Sequence, residues 1–260
     1  MIRLDVYLNE QGYVKSRQKA KSLIEDGCVL IDSVVIKKPS HPIDPNANPS
    51  VEIIDTCPYV SRGALKLERA INDISLNVSG KTCIDIGAST GGFTDCLLRH
   101  GAMKVYAIDS GTNQLDASLK SNPRVVSIEG YNARALSFED IGELADIITV
   151  DVSFISQSYI IPPASKLLDG DGVVISLIKP QFEVGKSKIG KGGIVKKAEY
   201  RLDAALKIIN CARENKLNCI YFSESPIVGG DGNVEFLAAF KKNSDNLITE
   251  AQIKNIIMKK

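Results

Sequence analysis

The fold of this chain is decided by Thr82-Cys83-Ile84-Asp85-Ile86-Gly87-Ala88-Ser89-Thr90-Gly91-Gly92-Phe93, read together with Val105-Tyr106-Ala107-Ile108-Asp109. An apolar run carrying an acid meets a Gly/Ser-rich turn, Phe93 to His100 has a helical pattern, and a second apolar run ends in Asp109. This is the layout of a βαβ unit for a nucleotide-type cofactor. Small residues let the backbone approach the ligand, and the acid after the second strand can hold ribose hydroxyls. A dinucleotide fingerprint would want glycine at position 89, where this chain has Ser89. Asp85, just ahead of the turn, would repel a pyrophosphate and suits a cationic ligand better. The pattern therefore favours S-adenosylmethionine, with its ammonium and sulfonium, over a nicotinamide dinucleotide. The contacts expected for it are Asp85, Gly87, Ala88, Ser89, Thr90, Gly91, Gly92, Phe93, Asp109, Asn132 and Asp151.

The chain around this unit has 260 residues, room for one large domain and a small one. Apolar content of 44% and charged content of 24% are ordinary for a globular protein. A net charge of +1 gives no global attraction to nucleic acid, so any such binding must come from local patches. No apolar run approaches membrane-spanning length, and Met1-Ile2-Arg3-Leu4-Asp5 has no apolar signal core. The six cysteines form no CxxC pair and only His41 and His100 could assist them, so no metal is expected and a reducing cytoplasm is the expected setting.

Residues 1–58 read as a separate module. Leu4, Tyr7 and Leu8 have helical spacing that closes at Gln11-Gly12. Ser16 can cap a second helix, Arg17 to Asp26, with Ala20, Leu23 and Ile24 inward and a stop at Gly27. Val29 to Ile36 reads as strand, turn at Asp32-Ser33, and strand. Pro39 to Pro49 reads as a loop, and Val51 to Ile54 as one more strand. Lys15, Arg17, Lys19 and Lys21 fall within seven residues without an acid. A charge run of this kind is most often a solvated helix face. Here the whole arrangement, with Ser16-Arg17-Gln18-Lys19-Ala20 and the Asp32-Ser33 turn as markers, resembles the small RNA-binding domain of ribosomal protein S4. That resemblance implies RNA contacts from Arg3, Arg17, Lys19, Lys21, Lys37 and Lys38.

Pro58 to Gly63 reads as a hinge. Ala64 to Ile74 reads as a helix with Leu65, Leu67, Ala70, Ile71 and Ile74 inward, and Lys66 and Arg69 facing the other way. Beyond the opening unit, strands expected at Arg124–Ile128, Ala145–Phe154, Gly172–Ile178, Asn218–Ser223 and Val234–Phe240 alternate with helices at Pro162–Leu168 and Ala198–Asn215. This alternation calls for an α/β fold: an open, mostly parallel Rossmann-like sheet with helices on both faces and ligands at the carboxyl ends of the strands. The expected organisation is a 1–58 RNA-binding domain, a 59–63 hinge and a 64–260 catalytic domain. Ser244 to Lys260, with Ile253, Ile256 and Ile257 at helical spacing, would add a terminal helix.

Asp109, Asp151 and Lys179 stand at strand tips, and Glu235 sits among apolar residues in Gly232-Asn233-Val234-Glu235-Phe236. A buried carboxylate needs a partner, and Lys179 and Lys66 are the available ones. Each charge alone could simply follow a strand on the surface. Together, Lys66, Asp151, Lys179 and Glu235 make a proton-transfer network beside a methyl-donor pocket. Gly185 to Gly193, with Lys186, Lys188 and Lys191, is either a mobile surface loop or a substrate lid that meets RNA phosphates.

From Tyr59 to Phe240 the chain resembles the hemolysin A (TlyA) family, which joins the small RNA-binding domain to an FtsJ-like methyltransferase. The markers are Val60-Ser61-Arg62-Gly63-Ala64-Leu65-Lys66-Leu67, the Gly87-to-Thr94 turn, Asp151-Val152-Ser153-Phe154-Ile155-Ser156, Lys179-Pro180-Gln181-Phe182-Glu183-Val184-Gly185-Lys186 and Gly232 to Phe236. The resemblance implies a class I methyltransferase that modifies the 2′-hydroxyl of cytidine in ribosomal RNA, acting on RNA or ribosomal subunits; a monomer is the expected state. Its Lys-Asp-Lys-Glu tetrad falls on Lys66, Asp151, Lys179 and Glu235, with Arg62, Lys186 and Lys188 added to the RNA contacts. Lys179 would accept the hydroxyl proton, Lys66 would orient the hydroxyl, and the two acids would fix the amines. The competing readings are a membrane-active cytolysin, for which the sequence has neither an apolar span nor a strongly amphipathic helix, and an RNA-binding protein without activity. Amine methylation and carbon-5 methylation lack their loops: Pro162-Pro163 has neither flank, and Cys57-Pro58 is in the wrong order.

Overall fold

The computed structural model describes residues 1–14, 16–25, 27–54, 57–229 and 232–259; Lys15, Asp26 and Lys260, invoked above, lie outside that set. The chain divides into two compact units, Met1–Ser61 and Arg62–Lys260.

In the first unit, helices Leu4–Glu10 and Arg17–Glu25 bury Leu4, Tyr7, Leu8, Ala20, Leu23 and Ile24 in one core with Val29 and Ile31. Asp5 is buried beneath them at 2% exposure and takes Arg3 at 2.8 Å and Arg17 at 2.9 Å. Chiefly through the Arg3 hydrogen bond, this holds its carboxyl down at about 2. Val29–Ile31 pairs antiparallel with Val34–Val35 and with Val51–Ile53. The turn residues Asp32 and Ser33 both have positive φ, 49° and 66°, the backbone that a two-residue hairpin demands. The Asp32 carboxylate accepts the Ser50 N–H at 2.9 Å. Pro39 to Pro49 is more ordered than a loop. Pro42–Ile43 pairs with Ile2–Arg3, and Pro45–Ala47 forms a single 3-10 turn capped by Asp44. Buried Ile43 explains the pairing, since its backbone leaves water and needs partners there.

The second unit is built on seven strands: β1 Thr82–Ile86, β2 Lys104–Ile108, β3 Val125–Ile128, β4 Ala145–Val150, β5 Leu168–Ile178, β6 Asn218–Glu224 and β7 Phe236–Lys241. Their order is β6-β7-β5-β4-β1-β2-β3, parallel throughout except that β7 runs antiparallel to β5 and β6. Ile84, Ile86, Ile148, Val150, Val174 and Ile178 point into one core with helices Ile161–Leu167, Ala198–Glu214 and Glu250–Met258. The opposite face is covered by Ala64–Asp73 and Gly92–Arg99. This is the Rossmann-like α/β sheet with helices on both faces. Central strands buried on both sides need unbroken apolar runs, which is why β1 and β4 were legible.

Four expectations are corrected here, the first being that β4 ends at Val150 and not at Phe154, which is exposed beyond it with φ +64°. β5 begins at Leu168 rather than Gly172, because Leu168 pairs with Ala145 before a bulge over exposed Asp169, Gly170 and Asp171. β7 begins at Phe236, so Glu235 precedes the strand. Lys66 does not face outward: it is buried on the inner side of its helix, and the site explains why. Strand order reverses between β1 and β4, and a crevice opens there at their carboxyl ends.

Candidate active site

At that reversal a cleft of about 700 Å³ is lined by Gly87, Ser89, Asp109, Asn132, Asp151 and Phe154, among others. Gly87 has φ +89°, and a Cβ there would meet the Asp151 carbonyl oxygen at 2.3 Å. Glycine is thus required for the ends of β1 and β4 to lie this close. Asp109, just past β2, accepts the N–H of Ser89 at 2.8 Å on one carboxylate oxygen and of Gly111 at 2.7 Å on the other. It ties the glycine turn to the next loop and leaves a lone pair on each oxygen toward the cleft. The cleft carries the carboxylates of Asp109 and Asp151 against one guanidinium, that of Arg134, which lies over the Tyr159 ring at 4.9 Å. This donor set fits a ligand bearing positive charge and a ribose.

Other members of the expected cofactor set lie elsewhere. Asp85 is fully buried beneath the turn, where Thr94 donates to it at 2.7 Å and Thr149 at 2.8 Å. Burial pushes its carboxyl up to about 6, against the pull of the two threonines and with a smaller push from Asp151. It supports the turn from within and does not line the cleft. Ala88, Thr90, Gly91, Gly92 and Phe93 do not line it either. Gly91, at φ +96°, lies where a Cβ would strike Leu119 at 2.2 Å, so it serves packing. Phe93 is in the core.

Two lysine–carboxylate pairs are carried by the adjoining ends of β5 and β7. Lys179 follows β5 and reaches Asp151 Oδ1 at 2.6 Å, an ion-pair contact off hydrogen-bond alignment, and donates to Ser153 Oγ at 2.9 Å. Lys66 donates to Glu235 at 2.6 Å, with side-chain exposures of 10% and 3%. Ile178 and Phe236 are register partners, which places Lys179 and Glu235 at adjoining strand ends. Asp151 therefore both lines the cleft and holds Lys179. Gly229 makes room for Glu235, since a Cβ there would meet the carboxylate at 2.6 Å.

Sequence reasoning missed the supports behind Lys179. Glu183 is buried. Its carboxylate accepts from the Gln157 N–H at 2.7 Å, the Lys207 ammonium at 3.0 Å and the Ser156 hydroxyl. Gln157 in turn donates to the Leu177 carbonyl at 2.6 Å and accepts from Ser176. No periodicity marks these residues, which come from four separate segments.

The expected RNA contacts differ in availability. Arg3 and Arg17 are committed to Asp5, and Lys188 pairs with Asp203 at 2.6 Å. Lys21 lies 3.7 Å from Glu25, Lys19 and Arg62 are half-buried, and Lys37, Lys38 and Lys186 are exposed.

Comparison with known proteins matches residues 59–242 to the FtsJ-like methyltransferase family and residues 2–48 to the S4 domain. Hemolysin A of Brachyspira hyodysenteriae is 43% identical over 244 residues, covering 92% of this chain and 99% of that protein. The 16S/23S rRNA (cytidine-2'-O)-methyltransferase TlyA of Mycobacterium tuberculosis is 37% identical over 255 residues, 98% of this chain and 95% of the relative. A solved hemolysin-like protein from Streptococcus thermophilus superposes with a TM-score of 0.79 at 38% identity, covering 99% of this chain and 94% of that one.

Proposed function

Given that the chain belongs to the FtsJ-like methyltransferase family, we propose that it transfers the methyl group of S-adenosylmethionine to the ribose 2′-hydroxyl of a cytidine in ribosomal RNA. The observation that carries this reading is Asp151, shared between an acid-lined cleft and Lys179. The TlyA relative's activity points to the same substrate. When bound, the donor supplies an electrophilic methyl group on a sulfonium. Asp109, Asn132 and the backbone at Gly87 and Ser89 would hold it, with Asp151 facing its positive charge.

A ribose hydroxyl is a poor nucleophile, so placement in line with the methyl and removal of its proton must both be provided. Lys179 Nζ, held by Asp151 and Ser153, would receive that proton in its neutral amine form, after giving up one of its own to solvent. Lys66, held on Glu235, presents a second fixed amine to orient the hydroxyl. The S4 domain and exposed Lys37, Lys38 and Lys186 support phosphate contacts, and a ribosomal substrate places the enzyme in the cytoplasm. The hemolysin name of relatives has less behind it: among the described residues no helix is long and apolar enough to cross a membrane.

Primer-extension mapping of 2′-O-methyls on ribosomal RNA incubated with the protein and donor tests the reading. Lys179→Ala and Lys179→Arg should both lose methyl transfer while calorimetry still shows donor binding, because arginine keeps the charge but cannot take a proton. Full activity in a folded Lys179→Ala protein would overturn the assignment of Lys179.

A further inference from the structure

Asn233 is 1% exposed and belongs to neither lysine–carboxylate pair. Its side-chain carbonyl accepts the Val195 N–H at 3.0 Å, and its amide donates to the Gly193 carbonyl at 3.0 Å. One side chain thus satisfies two backbone groups at the base of the Gly/Lys-rich loop, and the two partners together fix which end of the amide points where. The loop above is a tight turn. Gly190 N donates to the Ile194 carbonyl at 2.9 Å, and Gly192 and Gly193 have φ near +79° and +80°. Lys186, Lys191, Lys196 and Lys197 lie along it, exposed, and among the described residues no carboxylate pairs with any of them.

Two residues beyond Asn233 is Glu235, the partner of Lys66. The segment between them is itself pinned: the Asn233 carbonyl accepts from Gly229 N at 2.9 Å, and the Glu235 carbonyl from Ser225 N at 2.9 Å. The same short stretch of backbone therefore holds the cationic loop on one side and the catalytic pair on the other. Lys197 lies over the Tyr200 ring at 5.3 Å. Exposed ammoniums without a carboxylate partner are suited to a polyanion, and an RNA strand following the loop is placed by whatever places the loop.

Building on the methyltransferase reading, we infer that Asn233 is a positioning residue: it sets the cationic loop in register with the Lys66–Glu235 pair, so that phosphates held by the loop deliver the ribose to the reacting centre. It does not line the cleft, and its removal acts on RNA delivery and leaves the cleft alone.

The test is a double-mutant cycle on the full-length protein with ribosomal RNA transcript, combining Asn233→Ala with Lys191→Ala/Lys196→Ala. Asn233→Ala should lower kcat/KM for RNA about tenfold and leave the donor dissociation constant within about twofold. The loop substitutions should weaken RNA several-fold in the parent and by less than about twofold in the Asn233→Ala background. Asn233→Ser keeps a neutral hydroxyl for one of the two backbone groups; it should fall between the parent and the alanine variant, and it serves if the alanine variant does not fold. Additive effects, or donor binding lost in parallel with RNA turnover, would overturn the inference. RNA binding by fluorescence anisotropy reads the same cycle without turnover. If the parent protein methylates nothing, the proposed function fails, while coupling in binding still decides the role of Asn233.

Discussion

Lys66 stands on an otherwise apolar helix face and is kept there by Glu235, 169 residues further along the chain. A helical wheel has no means of showing such a partner, so the sequence reading turned this lysine toward solvent, even though it named Lys66 as a candidate partner for the acid. Breaking one half of a buried pair is costly because the other charge stays behind. Lys66→Met should cost about 3–5 kcal/mol in urea unfolding. Lys66→Met/Glu235→Leu should recover much of that loss, and neither protein should methylate. Asp85 gives a second residue-level prediction. Its carboxyl is raised to about 6 by burial, so the folded state holds a proton there that the unfolded chain, titrating near 4, has already released. The stabilisation is complete below about pH 4 and is lost as pH rises through about 6. Thermal melts of the protein and of Asp85→Asn should therefore diverge steadily across that interval, with the parent losing ground as pH rises. A flat difference would remove Asp85 as the titrating group. Asp5 has the opposite sign: held at about 2, it stabilises above about pH 4 and is lost as pH falls toward about 2.

At the scale of elements, the strand tips were readable because a parallel strand buried on both faces must be an apolar run, and the first charge after it marks its end. Val150-Asp151 and Ile178-Lys179 announce themselves in this way. The turn holding Lys179 did not, because Ser156, Gln157, Glu183 and Lys207 follow no period and meet only when β4 and β5 lie side by side. Glu183→Ala would strip the Gln157 N–H of its acceptor and leave Lys207 only the Ser156 hydroxyl and the residue-183 carbonyl, costing about 2–3 kcal/mol. Because the Lys179–Glu183 turn and the Ser153 loop are held together by this carboxylate, kcat should fall in the same variant with the donor dissociation constant little changed, as single-turnover assays and calorimetry would show. Unchanged kcat at reduced stability would make Glu183 a packing residue only.

Across the whole molecule the net charge is +1, so affinity for RNA must be concentrated in patches, each worth a definite share of the salt dependence. Lys37→Glu/Lys38→Glu alters two exposed lysines in the Met1–Ser61 unit, far in sequence from the strand tips that carry the site. It should raise KM for RNA and leave kcat alone, and it should flatten the slope of log affinity against log salt by about one to two. Loss of kcat with KM unchanged would overturn a role for these two lysines in RNA binding alone.

Asp151 has a consequence at this scale as well. One carboxylate borders the acid-lined cleft and also pairs with Lys179, so under the proposed function methyl donor and RNA should not be gripped independently. Thermodynamic reciprocity then requires that whatever factor the donor adds to the hold on RNA, RNA adds to the hold on the donor. Grip on ribosomes would thus track the cell's supply of activated methyl groups.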